Sequence, residues 1–249
     1  MAGGSATAAD PLRFAAGLYR AQGRVATAIE AVHARQPLHG RLEDDLDRLG
    51  QSLGEVLRFA ANDGPPGLAA LARDRTGEEW PAAKARLQTW WRGEAGGEDY
   101  LCRALLRPYV EVLSRLGLAP ERPRRPGHCP FCGGAPWIAS RRSDPGADGA
   151  GRRLGCALCG GEWPLGRILC PACDEGDPAK LPSFQSPSYP AARIEACETC
   201  RRYVKSIDLT VDGRAIPEVD DLVSLSMDLW AGREGFTRVE PGLAGEVTV

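Results

Sequence analysis

Cys129-Pro-Phe-Cys132, Cys156-Ala-Leu-Cys159, Cys170-Pro-Ala-Cys173 and Cys197-Glu-Thr-Cys200 hold eight of the nine cysteines in a chain of 249 residues. The last two pairs repeat the first two at a fixed offset, since 170 − 129 and 197 − 156 both give 41. The pattern C-x2-C-x23-C-x2-C therefore occurs twice, as a duplicated structural unit does. Two cysteines separated by two residues turn both sulfurs toward one point, which is half of a tetrahedral site. A second such pair, returned by the intervening loop, completes it. Modules this small bury too little apolar surface to fold unaided. Ligation offsets the deficit, because a structural metal contributes roughly 10–16 kcal/mol of apparent binding free energy. The spacing leaves open whether each site forms within one repeat or pairs cysteines across the two.

Disulfides and a redox Cys-x-x-Cys are the competing readings. Evenly duplicated pairs suit metal better than any disulfide connectivity. The turn formers Pro130, Gly133 and Gly134 replace the helix that a thioredoxin-like motif opens. A closed four-thiolate site also has no open coordination position, which argues against hydrolytic metal chemistry. No Ser/His/Asp set, phosphate-cradling glycine loop or histidine cluster stands elsewhere in the sequence. The reading is a non-enzymatic one.

Composition sets the surroundings. With 43% hydrophobic residues the chain can build a sizeable core in one or two domains. Residues 1–14 carry no basic segment leading into an apolar run, and no apolar run reaches membrane-spanning length, so neither a secretory signal nor a membrane helix is expected. Paired thiols and the odd Cys102 fit a reducing, cytoplasmic setting. Between Glu121 and Lys205, 13 Lys/Arg face 9 Asp/Glu, an excess of +4. Two tetrathiolate sites holding divalent ions would each carry −2 and cancel it. Nucleic acid, which needs a persistent basic face, is thereby disfavoured despite the Arg124-Arg125, Arg141-Arg142, Arg152-Arg153 and Arg201-Arg202 doublets.

Ahead of the cysteines, apolar residues recur at helical spacing. Leu18, Val25, Ile29 and Val32 mark a helix over 12–34; Leu42, Leu46, Leu49, Leu53, Val56 and Ala60 mark a second, ended by Asn62-Asp-Gly-Pro-Pro66. A short helix is expected over 68–73. Thr76 and Glu79 have capping-box spacing before a helix over about 78–92, which carries Trp80, Leu87, Trp90 and Trp91. Leu101, Leu105, Tyr109, Val112 and Leu116 mark a last helix that Pro108 should kink or split. Trp90, Trp91 and Cys102 are expected in the core, His33 and His39 in loop or surface positions. Arg41, Asp44, Asp45 and Arg48 are expected on a solvated helix face.

The proline-rich 120–126 reads as a semi-rigid linker. Residues 143–153 and 178–190 are expected to be irregular loops, the latter rich in Ser and Pro. A short strand is expected after each second cysteine pair, over 162–169 and 203–211, the latter with period two and a turn at Asp212-Gly213. His128 is expected beside the first site rather than in it. Pro217, Glu218, Asp220 and Asp221 suit the start of a helix reaching Gly232–Gly235, with Val219, Leu222, Val223, Ser226 and Trp230 on one face. The Gly-rich tail from Arg238 is expected to be mobile.

Cys129-Pro-Phe-Cys-Gly-Gly-Ala-Pro-Trp-Ile-Ala139, Gly155-Cys-Ala-Leu-Cys-Gly-Gly-Glu-Trp163 with Arg167, Glu195-Ala-Cys-Glu-Thr-Cys200 and Val219-Asp-Asp-Leu-Val-Ser-Leu-Ser-Met-Asp-Leu229 resemble the formate dehydrogenase accessory protein FdhE family over about 128–237. Over the N-terminal half the likeness is only a compatible helical layout. The resemblance implies an α+β protein: an N-terminal all-α domain (1–119), a Pro/Arg linker (120–127), two tandem rubredoxin-like four-cysteine metal modules (128–168 and 169–213), and a C-terminal helix and tail (214–249). It implies iron in both sites, zinc being the alternative, with Cys129, Cys132, Cys156, Cys159, Cys170, Cys173, Cys197 and Cys200 as ligands. It further implies a cytoplasmic maturation factor whose partner is the catalytic subunit of formate dehydrogenase. Asp174 departs from the pattern, standing where a glycine usually follows the cysteine pair. Rubredoxin-like electron transfer to the client enzyme and a nucleic-acid-binding zinc ribbon are the alternative functions.

Overall fold

The computed structural model describes residues 8–94, 99–143 and 149–242. The chain divides into two compact units, a helical one built on Arg13–Pro123 and a sheet-centred one built on Gly134–Val249. No helix among the described residues is long and apolar enough to cross a membrane.

Among the described residues five helices build the first unit: α1 (Ala9–Arg35), α2 (Leu42–Asp63), α3 (Pro66–Thr76), α4 (Trp80–Trp91) and α5 (Tyr100–Arg115). The periodic leucines of α2, Leu42, Leu46, Leu49 and Leu53, are buried, as are Leu18, Val25 and Ile29 of α1. Phe14 stacks on Phe59 with ring centroids 5.6 Å apart. Trp91 is buried, and Arg122 lies over both Trp90 and Trp91 at 5.0 and 5.4 Å from their centroids. The tryptophan pair is therefore anchored by the linker that follows.

Three local expectations change here. Pro108 sits inside α5 without splitting it. Proline removes the N–H that the Ala104 carbonyl would accept from, and Gln22 Nε2 of α1 donates to that carbonyl instead at 2.9 Å. The capping box does not form: Glu79 is the residue before α4 and makes no side-chain cap, while the Thr76 hydroxyl turns back to the Arg73 carbonyl at 2.6 Å. Asp45 is fully buried rather than solvated. Its carboxylate accepts the Tyr109 hydroxyl at 2.7 Å and the backbone N–H groups of His39 and Gly40 at 3.2 and 3.1 Å, tying the loop before α2 to α5. A helix-surface pattern of charges hid it, because the chain before α2 folds back over that face.

Cys102 is buried, as expected. Burial, with Asp99 beside it, pushes its thiol up to about 12. Because the thiolate is the reactive species, Cys102 should resist iodoacetamide in the folded protein and label rapidly only after denaturation. Mass spectrometry of the modified chain checks this.

The second unit is organised by one seven-stranded sheet, ordered β3-β2-β1-β6-β5-β4, with β7 also on β6. The strands are β1 (Pro136–Ser143), β2 (Ala150–Cys156), β3 (Glu162–Pro164), β4 (Ser183–Ser186), β5 (Tyr189–Ala196), β6 (Arg202–Asp208) and β7 (Thr237–Arg238). The duplication is visible here. Strands β1-β2-β3 and β4-β5-β6 are each antiparallel meanders, and parallel pairing of β1 with β6 (Ile138 opposite Lys205) joins them edge to edge. An ion pair spans the two halves, Arg152 Nε of β2 to Glu195 Oε2 of β5 at 2.8 Å.

Both expected loops contain strand. Residues 150–153 belong to β2, while 144–148 lie outside the described residues, and β4 together with the start of β5 occupies nearly half of 178–190. Ser and Pro content masked that hairpin, whose turn falls at Pro187-Ser188. The strand expected over 162–169 is only three residues long. Strand β6 is buried on both faces from Tyr203 to Asp208.

Instead of one C-terminal helix there are two, α6 (Pro217–Val223) and α7 (Leu225–Arg233). The buried ammonium of Lys205 causes the break: it donates to the carbonyls of Asp221 and Ser224 at 2.9 and 3.3 Å, the former being an acceptor a continuing helix would use. Lys205 also pairs with Asp221 (3.1 Å) and with Asp228, whose Oδ1 accepts the Tyr203 hydroxyl at 2.8 Å. Arg238 closes the cluster, bonding Asp221 at 2.6 Å and the Trp137 carbonyl at 2.7 Å. Arg238 is thus fixed in β7 rather than mobile; residues 243–249 of the expected mobile tail lie outside the described residues.

Candidate metal centres

Each cysteine pair sits in the same turn. The first cysteine's N–H donates to the carbonyl five residues on: Cys129 to Gly134, Cys156 to Gly161, Cys170 to Glu175 and Cys197 to Arg202, all at 2.9 Å. Such a turn needs a left-handed residue just after the second cysteine. Gly133 and Gly160 supply it in the first repeat (φ 70° and 72°), Asp174 and Arg201 in the second (φ 59° and 56°). A side chain in that region costs roughly 1–2 kcal/mol, partly offset because glycine loses about 0.5–1 kcal/mol more entropy on folding. Asp174→Gly should therefore stabilise the metal-loaded protein by about 0.5–1 kcal/mol, read as a raised midpoint in denaturant. Arg201 is a different case, since its guanidinium stacks on Phe236 with 3.8 Å to the centroid.

These turns bring the eight cysteines together as two groups of four. Cys129, Cys132, Cys156 and Cys159 form one; Cys170, Cys173, Cys197 and Cys200 form the other; within each, every sulfur lies within 4.8 Å of the rest. The grouping answers the question the spacing left open: each group draws on one repeat. His128 belongs to neither group. None of the nine cysteines is joined in a disulfide. The sulfurs of Cys129 and Cys159, of Cys170 and Cys200, and of Cys173 and Cys197 are each 3.7 Å apart. That is far beyond a disulfide bond of about 2.05 Å. It matches the edge of a sulfur tetrahedron, about 3.8 Å for a metal–sulfur distance of about 2.3 Å. The donor set fits a four-coordinate zinc or iron ion equally.

Backbone N–H groups aimed at the sulfurs favour thiolates. Leu158 and Cys159 donate to Cys156 Sγ at 3.3 and 3.4 Å, Gly161 to Cys159 Sγ at 3.4 Å, and Ala172 to Cys170 Sγ at 3.4 Å. The two sites differ in access. The first group is wholly buried, whereas in the second Cys173 is exposed and Cys200 partly so. Without metal, burial pushes the Cys170 thiol up and Cys200 to about 11; at Cys197 burial acts in the same sense, but N–H donation from Cys200 and its neighbours outweighs it and holds the thiol low. Raised thiols are protonated at neutral pH, so loading the second site releases protons and its affinity rises with pH. Calorimetry in buffers of different ionisation enthalpy should register that release.

The sequence reading missed the Lys205–Asp221–Asp228–Arg238 cluster. Its signal was present but weak: a lysine between Tyr203 and Ile207 on the apolar face of an alternating strand, and two aspartates seven residues apart on helical faces.

A helical unit, a duplicated meander and two closed groups of four thiols define a protein with paired four-cysteine groups, each of which could hold a metal ion. Residues 168–243 match the family model described as FdhE, C-terminal domain. The FdhE homologue of Aquifex aeolicus (strain VF5) is 36% identical over 118 residues, which are 47% of this chain and 41% of that protein. That match therefore spans about two fifths of the relative's length. The homologue from Pectobacterium atrosepticum is 29% identical over 96% of this chain and 83% of its own. The crystal structure of the FdhE protein from Pseudomonas aeruginosa superimposes with a TM-score of 0.64 at 26% identity, over 94% of this chain and 88% of that one. Residues 168–243 thus match the FdhE C-terminal domain, and nearly the whole chain resembles FdhE proteins in sequence and fold.

Proposed function

We propose that this protein is a non-catalytic accessory factor that binds the catalytic subunit of formate dehydrogenase during its cytoplasmic assembly, with one metal ion held by each four-cysteine group. The observation that carries the reading is the pair of closed, fully sulfur-lined sites within an FdhE-type fold. All four positions of each tetrahedron are taken by cysteine, so a bound ion has no vacancy for substrate or water. Iron is the metal we assign, following the FdhE likeness, with zinc as the alternative. The eight cysteines are its ligands. The arginine doublets do not compose a bare basic face: Arg142 pairs with Glu162 at 2.8 Å and Arg152 with Glu195, while Arg124 donates to the Pro130 carbonyl.

The test is affinity capture from anaerobically grown cells, using the metal-loaded chain as bait. Enrichment of the formate dehydrogenase catalytic subunit over a bait-free control supports the reading, and equal recovery from both rejects it. Electron transfer is a second reading, favoured by the exposure of Cys173 in the second site. It requires iron and a reversible change in the visible spectrum on reduction.

A further inference from the structure

Beside the second cysteine group lies a cleft of about 80 Å³ lined by four arginines, Arg141, Arg152, Arg167 and Arg202. That is several times the space one water needs. Cys170 and Cys197 border it, and Leu169, Val204 and Val239 give it apolar walls. We propose that this cleft is a binding site for a small oxyanion of the carboxylate or phosphate type. The proposal goes beyond the client-binding reading and does not depend on it.

The charge balance is the first argument. Four guanidiniums face one lining carboxylate, Glu195. A divalent ion in the neighbouring tetrathiolate group leaves −2 there, and the local sum is still positive by one. The arginines thus exceed what the metal site and Glu195 neutralise.

The donors supply the second argument. Arg152 is used up: its side chain is only 3% exposed, and it bonds Glu195 Oε2 at 2.8 Å and the carbonyls of Gly166 and Leu169 at 3.2 and 3.1 Å. It shapes the wall. Arg141 reaches Glu195 Oε1 only at 3.4 Å, and its buried Nε has no acceptor among the described residues. Arg167 gives one N–H to the Ala150 carbonyl. The side chain of Arg202 has no hydrogen bond or ion pair among the described residues, although its carbonyl accepts from Cys197. A guanidinium offers five N–H donors in a planar fork suited to two oxygens at once. Arg141 and Arg202 therefore bring unspent donors to one apolar-walled cleft, where an anion is less screened than in bulk water.

The shared chemistry can come from a free anion or from the carboxylate of a polypeptide segment. The experiment separates them. Calorimetric titrations of the full-length, metal-loaded protein use sodium phosphate, sodium acetate and a blocked tripeptide with one central glutamate, each at constant ionic strength set by chloride. Saturable binding of at least one probe is expected, weakened about tenfold or more when one charge-assisted contact is lost, in Arg202→Gln and in Arg141→Gln. Arg202→Lys, which keeps the charge without the fork, should fall between. Arg202 is exposed and unpartnered, so Arg202→Gln should keep its full metal content, which verifies the fold even if Arg141→Gln does not accumulate. Phosphate binding alone identifies a free anion as occupant; binding of the peptide identifies a polypeptide carboxylate. The proposal is overturned if no probe binds above chloride, or if binding is unchanged in Arg202→Gln.

Discussion

Cys156→Ser should strip the first metal site and unfold much of the sheet-centred unit. Cys156 is wholly buried, receives two backbone N–H groups on its sulfur, and lies where β2 runs into its cysteine turn. Serine supplies neither a soft ligand nor the sulfur's reach. The loss approaches the roughly 10–16 kcal/mol that a structural tetrathiolate site contributes, against a typical net domain stability of about 5–15 kcal/mol. The purified variant should hold at most one metal ion per chain and lose cooperative thermal unfolding of the sheet, followed by near-ultraviolet circular dichroism. Cys173→Ser, at an exposed sulfur, should cost clearly less. Full metal content and an unshifted transition in Cys156→Ser would mean that the first site is not a metal centre.

The second large effect is expected at Lys205→Met. Lys205 and Arg238 are the cations, and Asp221 and Asp228 the anions, of a buried cluster whose charges sum to zero. Methionine fills the volume but leaves one carboxylate charge uncompensated. Breaking a buried pair in this way costs about 3–5 kcal/mol, and here it also frees the carbonyls of Asp221 and Ser224. Equilibrium denaturation should show that loss, and the double variant Lys205→Met/Asp228→Leu should recover part of it. A change below about 1 kcal/mol, the range of an exposed pair, would show that the cluster is solvated in solution. The same cluster sets an acid limit. Burial alone would raise the Asp221 carboxyl, but Arg238 and Lys205 outweigh it and hold it below its ordinary value. A lowered folded-state value means the contribution is complete above the unfolded carboxylate pKa of about 3.9 and disappears as pH falls through the folded one. Wild-type protein should therefore lose this stability only below about pH 4.

Much of this architecture was legible because it depends on spacing. Four pairs at a constant offset carried the duplication and the expectation of two four-sulfur sites, though not which pairs share a site. Heptad-like leucines carried α2 and its neighbours. What escaped the sequence depends on partners far along the chain. Nothing local marks Gln22 as the donor that lets α5 absorb Pro108, or Asp45 as the buried acceptor for Tyr109. Lys205 breaks the C-terminal helix from a strand some twenty residues away, so the helical pattern from Pro217 to Trp230 looked continuous. Ser and Pro content hid β4, because strand propensity there is overridden by pairing with β5. Arg152 read as part of an exposed loop and is instead an almost fully buried tie between the two halves of the sheet.

The central claim is that two metal ions are each held by four cysteine sulfurs. X-ray absorption at the metal edge, combined with metal quantitation on protein purified without oxygen or added metal, tests it most directly. The expected result is about two ions per chain, each with about four sulfur neighbours near 2.3 Å and no nitrogen or oxygen in the coordination sphere. A single ion per chain, or a mixed sphere containing light-atom ligands, would contradict it.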